Sequence, residues 1–160
     1  MRLTHVRSAV WWMTAALLAE GGVAADGPKA SEKAALKQLQ GVWRPESVTV
    51  DGKKQEGIDL DTFTGMTLTI DSDKNRSILK ADDDAPINTC EMTFDASKDP
   101  KTFDAKEVEG LGVGTIYKGI WKVEGDTLLW CFSLKDRPKK FESKKDTDVY
   151  LMVMKRQKPK

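Results

Sequence analysis

Beyond Gly41 the apolar residues of this chain recur with a period of two, and the alternation persists to the C-terminus. Successive side chains of a strand point to opposite faces, so such a pattern describes half-buried strands rather than packed helices. Its clearest instance is Met66-Thr67-Leu68-Thr69-Ile70, with three apolar residues on one face and two threonines on the other. Residues 71–75 carry turn chemistry, and 76–80 form a short return strand around Ile78 and Leu79. Residues 88–94 set Cys90, Met92 and Phe94 against Thr89, Glu91 and Thr93, and 102–108 form a weaker strand. Residues 115–123 set Tyr117, Gly119, Trp121 and Val123 against Ile116, Lys118, Ile120 and Lys122. Glu124-Gly125-Asp126 turns tightly into 128–132, where Leu128, Trp130 and Phe132 share a face. With 42–50 as the first strand and 149–156 as the last, eight strands follow one another without crossover helices. Ahead of them, Ser31 is placed to cap a short helix over 32–39 that Gly41 ends. The expected fold class is all-β: one eight-stranded antiparallel up-and-down barrel with a short N-terminal helix.

Residues 1–25 read as an address. Arg2 and Arg7 precede the apolar run 9–19, and Val23-Ala24-Ala25 supplies the small residues of a signal-peptidase site. Eleven residues rise only about 16 Å as a helix, roughly half of a bilayer core, so a spanning anchor is the poorer reading. The expected organisation is a cleaved signal over 1–25, a polar linker and helix start over 26–35, the barrel over 36–156 and a tail over 157–160. The expected location is extracytoplasmic, periplasmic or secreted, with no stable membrane insertion after cleavage. Removing Arg2, Arg7 and Glu20 from 26 basic and 25 acidic residues leaves 24 of each. A formally neutral chain lacks the basic excess of a nucleic-acid binder and steers charged partners weakly. The single histidine, His5, leaves with the signal.

Several pieces look familiar together. Leu39-Gln40-Gly41-Val42-Trp43 is similar to the L-Q-G-x-W opening of the lipocalin-like domain common in secreted planctomycete proteins. The stretch 95–101, Gly119-Ile120-Trp121-Lys122-Val123, Gly125-Asp126-Thr127-Leu128, Cys131, Arg137-Pro138 with Phe141, and the closing 151–156 resemble the same family in the same order. The resemblance runs from about Leu36 to Arg156 and implies a small lipocalin-like β-barrel, without implying a ligand. Gly41-x-Trp43 also resembles the general lipocalin signature, in which a tryptophan at the barrel base packs under a basic residue of the last strand. That implies a structural pair of Trp43 with Arg156, Lys155 being the second candidate. Pro45 departs from the family pattern, and a proline inside a strand marks an edge or a bulge. Cys90 and Trp130 depart from it too.

The inward face is expected to hold Met66, Leu68, Ile70, Met92, Phe94, Tyr117, Trp121, Leu128, Trp130 and Phe132. An eight-stranded barrel is just filled by side chains or holds one small ligand, and Met and aromatic residues suit either outcome. Cys90 and Cys131 form a candidate disulfide for an oxidising compartment, although alternation puts Cys90 inward and Cys131 opposite Trp130 and Phe132. Asp82-Asp83-Asp84 lacks the ligand spacing of a calcium loop and reads as a solvated hairpin tip, so no metal or cofactor is expected. The basic stretch 137–145 is matched by nearby acids and reads as a solvated loop. Nucleophile elbows, phosphate loops and a histidine base are all missing, and the acid pair Asp104 and Glu107 has no mark of glycoside chemistry. The chain is therefore read as non-catalytic, binding a small apolar molecule inside the barrel. The alternatives are an envelope structural or interaction module with a filled core and, more remotely, a carboxylate-based hydrolase.

Overall fold

The computed structural model describes residues 28–158, so the expected signal segment and its cleavage site lie outside the described residues. The chain runs α1 (Pro28–Leu39), β1 (Gly41–Val50), a two-residue β2 (Lys53–Lys54), α2 (Ile58–Thr64), β3 (Met66–Asp71), β4 (Arg76–Ala81), β5 (Pro86–Asp95), β6 (Lys101–Glu109), β7 (Ile116–Glu124), β8 (Thr127–Ser133) and β9 (Val149–Arg156). Strands β3 to β9 pair antiparallel with their sequence neighbours, and β1 pairs with both β3 and β9. The result is a closed eight-stranded up-and-down barrel, with β2 a short flap on the end of β1. Closure leaves no edge for Pro45 to occupy, and β1 accommodates it by a bulge: the register with β9 shifts between Pro45 and Ser47.

Two features were not foreseen. Helix α1 begins at Pro28, so the expected linker 26–30 is already helical from there and Ser31 lies within the helix instead of capping it. Helix α2 fills a stretch where no helix was expected; Gly57, at φ 57°, starts it, and its first turn carries Asp59 and Asp61. Acidic residues in a first turn complement the exposed N–H groups there.

The two helices serve opposite ends of the barrel. Leu39 is fully buried and Ala35 and Leu36 pack beside it, so α1 plugs the end where β1 begins. Its C-terminal turn is tied to the β3–β4 turn, where the Ser72 hydroxyl donates to Leu36 O at 3.0 Å and the Ser72 amide to Gln40 Oε1 at 2.7 Å. Phe63 of α2 lines the interior at the other end. The 135–148 loop lies against the outer wall, where Arg137 donates to Phe103 O at 2.6 Å and Gly119 O at 2.7 Å and pairs with Asp104 at 2.6 Å. Beneath it Ile120 and Cys131, outward by parity, are nonetheless buried.

Candidate functional site

All ten residues expected inside belong to the interior, but they divide along the barrel axis. Met66, Leu68, Tyr117, Trp130 and Phe132 line a cavity of about 350 Å³ toward the α2 end. Ile70, Met92, Trp121 and Leu128 are buried in the packed core, with Phe94 half-buried against it. Trp121 therefore does not share a cavity with Tyr117 and Trp130, although all three face inward as expected. The physical reason is the plug: Leu39 and Trp43, both fully buried, fill the base.

The base is organised around the pair that the signature implies. The Arg156 guanidinium lies 4.1 Å from the centre of the Trp43 ring. It donates to Gln40 O at 2.6 Å and Gln38 O at 2.5 Å, the unpaired carbonyls at the end of α1. The Trp43 indole N–H donates to Leu39 O at 2.9 Å. One cation thus joins the last strand, the first strand and the helix end. It is a structural lock and has no access to the cavity.

The cavity wall is mostly apolar, and several of its groups had not been foreseen. Strand β9 contributes Tyr150, Met152 and Met154, and β6 contributes Phe103 and Ala105. Phe103 stacks on Trp130 with ring centroids 3.7 Å apart, and Tyr117 meets Phe132 edge-on at 5.8 Å. Ser77, Asn88 and Tyr117 bring polar groups, and the Ser77 hydroxyl donates to Met92 Sδ at 3.1 Å. The alternation of 149–156 contained the β9 residues, since Tyr150, Met152 and Met154 share a parity. The same holds for Phe103 and Ala105 in the weak strand 102–108.

Parity also brings Glu107 inward. Asp104 points outward to Arg137, so the two acids face opposite sides of the wall and form no catalytic pair. Glu107 is 3 % exposed, yet each of its carboxylate oxygens accepts a hydrogen bond: Oε1 from the Gly112 amide at 2.8 Å and Oε2 from the Tyr117 hydroxyl at 2.9 Å. Burial, followed by that bond to Glu107, pushes the Tyr117 phenol up to about 12. Burial and the nearby Glu107 charge push the Cys90 thiol up to about 11.

Cys90 and Cys131 are both free and buried, so the candidate disulfide is not formed. Cys90 lines the cavity, while Cys131 sits outside under the 135–148 loop, its Sγ 3.7 Å from Lys140 O. Burial pushes the Cys131 thiol up to about 11 as well. Asp82 of the acidic tip pairs with Arg44 at 2.7 Å. Among the described residues no three His, Cys, Asp or Glu side chains are grouped to hold a metal.

A wider groove of about 710 Å³ lies on the outer wall between β5–β6 and the 135–148 loop. It is lined by Asp95, Lys98, Asp99 and Arg137, and Arg137 is already committed to its two carbonyls and Asp104. No family model matches the chain, and neither a curated protein nor a solved structure matches it.

Proposed function

We propose that this barrel is an exported, non-catalytic, lipocalin-like domain that binds one small apolar molecule in its upper cavity. The observation that carries the reading is the 350 Å³ apolar cavity, left open at one end of a barrel whose other end is sealed. Ligand sites occupy about 300–1,000 Å³ and combine apolar walls with a few placed polar groups, and Asn88, Ser77 and the Tyr117 hydroxyl have that character here. The volume suits a small or slender ligand. Met66, Met152 and Met154 give the wall flexible, polarisable side chains that adapt to an irregular apolar shape.

Titration with a fluorescent fatty acid tests the proposal. One site per chain is expected, with a change in tryptophan emission because Trp130 lines the cavity. Absence of saturable binding to the folded protein would overturn it.

A further inference from the structure

The large apolar side chains left exposed among the described residues are Ile87, Leu111, Val113, Ile116 and Leu134. All five stand at the open end. Ile87 is near the start of β5, Leu111 and Val113 lie in the β6–β7 loop, Ile116 begins β7, and Leu134 directly follows β8. They form one arc on the side of the mouth made by β5 to β8, and Leu134 also lines the cavity.

The tip of the arc is held outward. Leu111 and Val113 alternate with Gly110, Gly112 and Gly114, and the loop is braced from inside by Glu107. The Glu107 amide donates to Thr115 O at 2.9 Å, the Gly114 amide donates to Glu107 O at 2.8 Å, and the Gly112 amide donates to the carboxylate. An ideal Cβ at Gly110 would fall 2.5 Å from Glu107 Oε1, so that position is closed to side chains. A buried carboxylate thus fixes a loop that presents two apolar side chains to solvent instead of folding them over the apolar mouth.

Behind this tip, on the outer face, stand Lys106, opposite Ile116, and Lys118, opposite Ser133. Both are exposed and neither makes an ion pair among the described residues. Of the acids beside them, Glu109 pairs with Arg76 and Asp104 with Arg137, while Glu91 stands directly opposite Lys106.

Resting on the cavity-binding reading above, we infer that this rim docks on a lipid bilayer and that the cavity exchanges a single-chain acyl amphiphile with it. Three observations favour a bilayer over a second copy of the chain. The rim borders the cavity mouth, so whatever covers it must also supply or accept an apolar ligand. Five side chains, only one of them fully exposed, fall short of the roughly 800 Å² per partner that a stable protein interface buries. A projecting tip has no self-complementary surface, which a two-fold interface requires, whereas a fluid acyl phase needs none. Lys106 and Lys118 can reach head groups from behind the tip along their aliphatic stems.

The test uses the full chain and vesicles of phosphatidylcholine with phosphatidylglycerol. Vesicles should slow amide hydrogen exchange at 110–116 and 134, a readout local to the rim whatever residues 1–25 do. Leu111→Ser with Val113→Ser should abolish that protection and slow transfer of a fluorescent fatty acid to vesicles roughly tenfold or more, given the apolar area removed. The same variant should bind the fatty acid in solution with unchanged affinity. Unprotected rim amides, or transfer unaffected by the substitutions, would overturn the docking inference while leaving the cavity reading intact. Dimerisation through the rim without protection on vesicles would also overturn it, in favour of a second copy. Failure of the parent chain to bind the fatty acid in solution would sink the cavity reading itself and the exchange with it.

Discussion

Replacing Arg156 by methionine keeps an unbranched apolar stem and removes the cation from the base of the barrel. The guanidinium lies 4.1 Å from the Trp43 ring centre, a contact worth about 1 kcal/mol and more when desolvated. Its bonds to Gln38 O and Gln40 O end helix α1, and a hydrogen bond from a charged donor contributes about 1.5–3 kcal/mol where the acceptor is left unpaired. Both carbonyls lie at the barrel end where water can replace part of the loss, so about 0.5–1 kcal/mol each is the better figure. The ion pair with Asp126, at 3.5 Å with that acid 71 % exposed, adds only about 0–1 kcal/mol. Arg156→Met should therefore cost about 2–4 kcal/mol, a fall in melting temperature of roughly 6–15 °C for a domain of this size. Arg156→Lys should fall between, because an ammonium keeps the charge over the ring but lacks the rigid fork that spans two carbonyls. Urea unfolding followed by far-ultraviolet circular dichroism measures this without relying on tryptophan emission. In a double-mutant cycle with Trp43→Phe, a coupling of about 1 kcal/mol is expected. A loss below about 0.5 kcal/mol, or additive single losses, would show that the guanidinium locks nothing.

Ala105→Phe should abolish one-to-one fatty-acid binding by placing a ring in the 350 Å³ cavity, whereas Trp121→Phe, in the packed base, should leave affinity unchanged; isothermal titration distinguishes them. Gly119→Ala should destabilise by about 1–3 kcal/mol in urea melts, since its Cβ would fall 2.2 Å from the Phe103 ring and 2.8 Å from Cys131 O. The two thiols make the fold alkali-sensitive: folding raises each from 9.0 to about 11, so between those values the unfolded chain releases protons that the native state keeps. Stability should therefore be unaffected below about pH 9 and fall as pH rises to 11, by on the order of 2 kcal/mol per thiol. Melts of Cys90→Ala with Cys131→Ala that keep the full alkaline slope would refute that origin.

The strand limits were legible because alternation is dictated by the pleat, which acts residue by residue. Residues 149–156 were expected as the last strand and are β9; the other barrel strands differ from expectation by one or two residues at their ends, and the two-residue β2 was not expected. Parity also separated Cys90 from Cys131 correctly. Depth along the barrel axis was not legible. Trp121 and Trp130 face each other across β7 and β8 and share the inward face, yet only Trp130 lines the cavity. What divides interior residues is how far the α1 plug reaches, and that depends on the bonds from Arg156 to Gln38 O and Gln40 O, which no local pattern encodes. Helix α2 was missed for a related reason: seven residues with two acids have little helical period of their own, and the cavity that Phe63 helps to line is assembled from distant strands.

Glu107 shows where binary reading of a strand fails and why. An acid among Phe103, Ala105 and Glu107 on one parity looks like the solvent-facing end of a weak strand, because a buried carboxylate is costly unless donors surround it. The donors come from chain beyond the strand: the Gly112 amide, presented by a glycine loop that turns back over the residue, and the Tyr117 hydroxyl from the next strand. Three glycines spaced two apart after an inward acid were the available signal. With no Cβ, Gly112 brings its amide to the carboxylate; an added methyl would fall 2.9 Å from Oε2. The polar group that spoils the inner pattern is what gives the mouth its shape, since the hydrogen bonds satisfying Glu107 are the ones that set Leu111 and Val113 outside the barrel.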